Sequence, residues 1–351
     1  MSAVLPAAAT VMPEAHRAEG VWALAWRRFR RDRVGLVSLA IVLAFMGLIA
    51  LSALGLVAGH WQREVGVPYA NPTFLGPTPP SPVALIEESK GPPVDLSDID
   101  PLAPRYAEWA ARAAQLQVTE AVRADTLPLG GDRLGRDVLA KAIKGAEVSI
   151  FVGVLAALLA TGIGTALGAV SGFLGGRTGD LLEWVYNVFT SIPGILLIFA
   201  FAAVLGRGTT TVVMILGLTG WTGIYRLVRA EFMKHAVRDY VRAAEAIGAS
   251  VASRMFRHIL PNVSHVVLVQ LSILTVGFIK AEVILSYLGL GVSIDQVSWG
   301  TMLAESQVEL LLGCWWQLAT ATAFMAVFVT AFSLFTDALR DALDPKLRGL
   351  E

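Results

Sequence analysis

Long uncharged stretches recur along this chain, and its charge is confined to the segments between them. Uncharged runs occupy 34–59, 148–176, 184–206, 208–225, 259–279 and 310–336. The fifth resumes beyond Lys280 and Glu282 as "VILSYLGLGVSI". A hydrocarbon core about 30 Å thick needs roughly 20 apolar residues in helical form, so the pattern predicts six membrane-spanning helices. The first run follows "WRRFRRDR" and holds 26 uncharged residues. A cleaved secretory signal has an apolar region of only about 7–15 residues, so this run is expected to remain as a span.

Composition agrees. The 351 residues are 55% hydrophobic and 16% charged, with a mean hydropathy of +0.62, whereas soluble domains carry roughly a quarter charged residues. A net charge of zero weighs against nucleic-acid binding. The single Cys314 cannot form an internal disulfide. The five histidines are scattered without ligand spacing, so no metal site is expected. There is no GxxxxGK[S/T] phosphate loop, GxSxG elbow, HExxH pair or CxxC. The chain is therefore expected to have no catalytic residues, no cofactor and no ATP site of its own.

Lys and Arg near the ends of spans set orientation. "RRFRRDR" assigns segment 1–33 to the cytoplasm, and six crossings then assign loops 175–183 and 226–258 and the tail 339–351 to the same side. Loop 226–258 holds seven Lys/Arg against three Asp/Glu. Segment 60–147 is the largest outer piece. Its first part ("GPTPPSP", "GPPVDLSDIDPLAP") reads as an extended tether, and 105–124 as a short surface helix. Arg133, Arg136, Lys141 and Lys144 run against the charge rule there, which long outer segments escape. Gly164, Gly168, Gly172 and Gly176 recur every four residues and let another helix approach closely, either within the subunit or from a second one. Pro193 in "SIPGILL" predicts a kink or hinge.

Between the fourth and fifth runs lies "DYVRAAEAIGASVASRMFRHILPN" (239–262). At about 100° per residue, Tyr240, Ala244, Ile247 and Val251 share one side of a helix, and Arg238, Arg242 and Glu245 the other. That is an amphipathic helix of about three turns. Gly248 permits a turn, a second short helix "SVASRMFRHIL" follows, and Pro261 marks where it gives way to the fifth span. Such a helix–turn–helix fits a groove in another protein or lies on lipid headgroups.

The stretch resembles the cytoplasmic signature loop of bacterial ABC-importer permeases, with the pattern Glu-Ala-Ala-x-x-x-Gly and a later Leu-Pro. Ala243, Ala244, Gly248, Leu260 and Pro261 match, and Arg242 stands where the pattern has Glu. Four further segments look like the second (C-type) permease subunit of dipeptide, oligopeptide and nickel importers. They are "WRRFRRDRVGL" (26–36), "PLGGDRLGRDVLAKAIKGAEVSIFVG" (128–153), "AEVILSYLGLGV" (281–292) with "SWGTML" (298–303), and "LRDALDPKLR" (339–348). The likeness covers most of 128–348, while 60–127 has no counterpart.

The resemblance implies an all-α integral membrane protein with the type I ABC importer permease fold. It would consist of a first span at 34–59, an outer segment at 60–147 and a five-span core at 148–338, multi-pass in the bacterial plasma (inner) membrane, with both termini cytoplasmic. It implies a heterodimer with a homologous permease, two ABC ATPase subunits that bind ATP and Mg, and an extracytoplasmic binding protein that delivers peptide. Nickel or another small solute is the alternative cargo within the family. A self-sufficient secondary transporter is the alternative class, and it would show inverted repeats and acids deep in several spans. In this scheme loop 226–261 couples to an ATPase through Tyr240, Arg242, Ala243, Ala244, Ile247, Gly248 and Ala249. Lys280 and Glu282, at i and i+2, do not face each other. Either both sit at the outer interface, where Lys snorkels, or Glu282 faces the translocation path or a partner subunit.

Overall fold

Among the described residues, five helical runs are long and apolar enough to cross a membrane: Arg33–Ala53, Val138–Leu174, Thr209–Ala236, Val251–Tyr287 and Trp316–Ala342. The computed structural model describes residues 26–79, 99–115 and 123–343. Expectations for 1–25, 80–98, 116–122 and 344–351 lie outside the described residues. In chain order we label α1 (Arg33–Ala53), α2 (Tyr106–Gln115), α3 (Val138–Leu174), α4 (Gly176–Ser191) and α5 (Gly194–Leu205). Then come α6 (Thr209–Thr219), α7 (Thr222–Ala236), α8 (Asp239–Ala246), α9 (Leu260–Tyr287), α10 (Trp299–Leu311) and α11 (Trp316–Leu343).

The third expected span, 184–206, is not one helix. α4 and α5 meet at an 85° bend. Ile192 adopts φ −97°, ψ 129° ahead of Pro193, the extended conformation that a following proline favours. The bent pair still crosses the molecule. It starts beside Ser171 at the C-terminal end of α3, where Gly175 N–H donates to the Ser171 carbonyl. It finishes at the opposite end, where Gly208 N–H donates to the Gly291 carbonyl at 3.0 Å. The pair thus supplies the sixth crossing.

α3 is the central post. Its 37 residues span about 55 Å, so it reaches well beyond a hydrocarbon core, and it starts ten residues before the uncharged run at 148. Asp137 caps its N-terminus by accepting from Leu139 N–H. The glycine stripe is explained within the chain. A Cβ on Gly164 would lie 2.0 Å from Ile224 Cγ2, one on Gly168 2.7 Å from the Tyr225 carbonyl, and one on Gly172 2.4 Å from the Arg229 carbonyl. The stripe therefore seats α7, not a second subunit, and it stops before Gly176, whose α-carbon faces open space.

The two ends of the bundle differ. At one end Phe29 packs against Ala338 and Ala342 and edge-on to Phe335, so the start of α1 and the end of α11 lie together. The far end of α1 meets the N-terminal part of α3, where Ser52 Oγ donates to Glu147 at 2.8 Å. The start of α1 therefore shares an end with Leu174 and with α8.

At the opposite end, segment 60–147 is more than a tether. β1 (Gly66–Pro72) pairs in parallel with β2 (Ala124–Leu127). The turn after β2 is pinned by Trp316 Nε1, which donates to the Gly131 carbonyl at 2.7 Å. Asp132 accepts from Arg136 Nε at 2.6 Å and Lys141 Nζ at 2.7 Å. Lys141, 1% exposed, also reaches Glu305 at 2.5 Å and Gln317 at 3.2 Å. Lys144 pairs with Glu147 at 2.8 Å. Three of the four cations that ran against the charge rule are thus neutralised in place. α10 covers this cluster, closed by a Ser298–Thr301 capping box and by Trp299 Nε1 donating to the Ala142 carbonyl at 3.1 Å.

Candidate functional site

The loop after α7 is built from local rules. Arg238 is extended at the N-cap of α8, and Asp239 sits in the first turn, where a carboxylate favours the helix dipole. The helix stops after Ala246 because Gly248 takes φ +86°, a left-handed conformation that glycine adopts without a Cβ penalty. Gly248 N–H donates to the Glu245 carbonyl and Ala249 N–H to the Ala244 carbonyl, each at 2.9 Å, which closes the helix end. Ser250 then caps the next run through Ser253 N–H.

That run does not end at Pro261. Arg254–Ile259 form one π-helical turn, and helix continues from Val251 to Tyr287. A proline lacks an N–H and its ring crowds the carbonyl four residues back. The wider turn ahead of it, with Leu260 N–H donating to the Met255 carbonyl, accommodates both defects without a break. The second arm of the loop is therefore the start of a span rather than a separate short helix.

The faces also differ from the helical projection. Val241 and Ala244 are buried, and Val241 joins a cluster with Val228, Phe232, Met255 and Ile259. Ile247 is 86% exposed, and Arg242, Ala243 and Gly248 are also exposed, with Ala249 half-buried. Projection put Ala244 and Ile247 on one face, but α8 ends at Ala246 and Ile247 already belongs to the turn. Tyr240 is exposed but tethered, with its hydroxyl 2.8 Å from His235 Nδ1. Ala243 and Ile247 thus sit on the outward surface, and Met233, Val237, Val251 and Phe256 are further exposed apolar residues of the same loop region.

Two residues absent from the sequence-based site fasten the loop. Glu245 Oε1 lies 2.6 Å from Arg254 Nη1, linking α8 to the start of the next helix. The Arg254 guanidinium also sits 5.4 Å over the Phe173 ring at the end of α3. Opposite charges flanking a glycine turn were the available signal. Arg242 takes no part in this link, so replacing the usual Glu at that position leaves the joint between the arms intact.

Glu282 is 0% exposed and accepts from Ser286 Oγ at 2.6 Å, while its other oxygen has no protein partner. Ser286 Oγ also accepts from Val292 N–H at 3.3 Å. Glu282 therefore lies inside the subunit, while Lys280 is exposed. The i, i+2 spacing turns the two in different directions. Among the described residues no group of His, Cys, Asp and Glu is arranged to hold a metal ion.

Residues 164–349 match the family described as binding-protein-dependent transport system inner membrane component. Residues 20–73 match the N-terminal TM domain of oligopeptide transport permease C. The chain is 36% identical over 219 residues to the oligopeptide transport system permease protein OppC of Bacillus subtilis (strain 168), covering 62% of this chain and 72% of that protein. It is equally identical to the dipeptide transport system permease protein DppC of the same organism, with 62% and 68% covered. The dipeptide transport system permease protein DppC of Lactococcus lactis subsp. cremoris (strain MG1363) is 27% identical over 322 residues, 92% of this chain and 90% of that protein. Among solved structures, a chain of the inward-facing MetNI methionine ABC transporter aligns with a TM-score of 0.48 at 15% identity, covering 58% of this chain and 96% of that one.

Proposed function

The chain belongs to the family of binding-protein-dependent transport system inner membrane components, and on that premise we propose how it works: as the C-type permease subunit of an ABC importer for peptides, driven through α8. It is a multi-pass inner-membrane permease subunit. The peptide cargo is favoured by the oligopeptide and dipeptide permeases among its relatives. A homologous second permease completes the pathway, and an extracytoplasmic binding protein delivers the peptide. Two ATPase subunits bind ATP and Mg beneath, on the side of Arg30, Arg31 and loop 226–258, which the charge rule assigns to the cytoplasm, as it does both termini.

One observation carries the coupling role: a short helix locked to its own bundle by Val241, Ala244 and the Glu245–Arg254 pair presents Ile247 almost fully exposed. A lever must be stiff where it joins the load and free where it is pushed. Displacement of the Ile247 tip by an ATPase passes through Arg254 directly into the helix that becomes α9, with no flexible joint between them. The spans then rock between inward-open and outward-open states.

In the reconstituted complex, Ile247→Asp leaves the permease folded, because nothing in the core is touched. It is expected to abolish peptide-stimulated ATP hydrolysis and to lower uptake by at least about tenfold, as removal of a central contact does. Unchanged uptake and stimulation would contradict the reading.

A further inference from the structure

A groove of about 630 Å³ runs along the outside of the bundle between α1 and α11, within the range of about 300–1,000 Å³ common for ligand sites. One wall is Val34, Val37 and Ile41, and the other is Val327, Thr330 and Leu334. Both walls belong to helices long and apolar enough to cross a membrane, and the groove lies on the outside of this subunit. Its mouth carries Arg33, the first residue of α1, with Arg30 and Arg31 exposed one turn before it. The neighbouring carboxylate on α1's side, Asp32, is committed to capping Val34 N–H at 2.9 Å.

From this combination we infer a binding site for one anionic phospholipid, with an acyl chain laid in the α1–α11 groove and its phosphate at Arg33. The apolar walls account for the chain, and the cationic mouth accounts for the headgroup. A basic pocket beside spans attracts anionic lipid by charge as well as by apolar contact. The lipid bridges the first span to the last, a pair otherwise joined at this end by Phe29, Phe335, Ala338 and Ala342.

The test is native mass spectrometry of the whole complex, purified in mild detergent and exchanged with defined mixtures of phosphatidylglycerol and phosphatidylcholine. The wild type is expected to retain one phosphatidylglycerol per copy of this chain. Val37→Trp, which fills the groove, is expected to retain none. Arg33→Gln is expected to lose about fivefold of the preference for the anionic lipid. A photo-cross-linker in place of Val37 keeps the groove open and gives an independent readout, with an adduct to phospholipid expected. Undiminished lipid retention in Val37→Trp, equal retention of the two lipids by the wild type, or an adduct to a protein chain would overturn the inference.

Discussion

The two ends of the helical bundle handle charge in different ways. At the strand end, Asp132, Lys141, Arg136, Glu305 and Gln317 satisfy one another within a closed cluster, roofed by Trp299 and Trp316. At the α8 end one ion pair, Glu245–Arg254, fastens the loop, and Met233, Val237, Ile247, Val251 and Phe256 are left exposed. That charged cluster is held within the chain, although Ile294, Leu311, Leu312 and Trp315 are exposed around it. The second end has the composition of an interface that lacks its other half, since single exposed apolar residues are ordinary but a cluster on one loop marks a contact. Substitutions at the closed end should unfold the subunit, and substitutions on the exposed face should spare folding and remove function.

The largest expected effect is at the closed end. Lys141→Ala leaves Asp132 and Glu305 short of a buried cation, and breaking such a pair costs about 3–5 kcal/mol. Thermal unfolding of the detergent-purified protein should drop sharply, with uptake lost in proportion to folded protein. A variant that folds normally would mean that the cluster contributes little.

A neighbouring pair of alanines then separates the two faces of α8. Ala244 is buried, so Ala244→Trp overpacks its surroundings at about 1–3 kcal/mol. Ala243 is exposed, so Ala243→Trp should cost less than about 0.5 kcal/mol and yet uncouple ATP hydrolysis from uptake. Identical behaviour of the two variants, in stability and in coupling, would erase the distinction between the faces.

The smallest effect is a pH slope. Burial pushes the Glu309 carboxyl up to about 7, with Asp132 and Glu305 adding to the rise against Lys141 and the Arg133 N–H. The folded protein therefore holds this proton to a higher pH than the unfolded chain does. Its contribution to stability is complete below the ordinary carboxylate range and is lost as pH rises through about 7. The melting temperature should fall across that window in the wild type and less so in Glu309→Gln, with the variant ahead above it. Parallel curves would show that Glu309 is not titrating there.

How much of this was legible in the sequence depends on how local the cause was. Span count and the Gly248 turn follow from run length and residue type, and both were readable. The glycine stripe announces a close neighbour, but its partner, Ile224 to Arg229, lies nearly sixty residues away and carries no matching mark. Pro193 signalled a bend without its size. The cations of the closed cluster stand out in the sequence only as exceptions to the charge rule, because Lys141 reaches Glu305 and Gln317 across more than 160 residues and nothing in one sequence pairs them. α8 was legible as a helix, but its faces were misassigned because projection carried past Ala246, where the helix ends.

The most direct test of the coupling claim is site-specific photo-cross-linking in the assembled transporter, comparing position 247 with position 244. Adducts to an ATPase subunit from position 247 and none from position 244 are predicted. No ATPase adduct from position 247, or labelling of Ile247→Cys in intact cells by a membrane-impermeant thiol reagent, would contradict it.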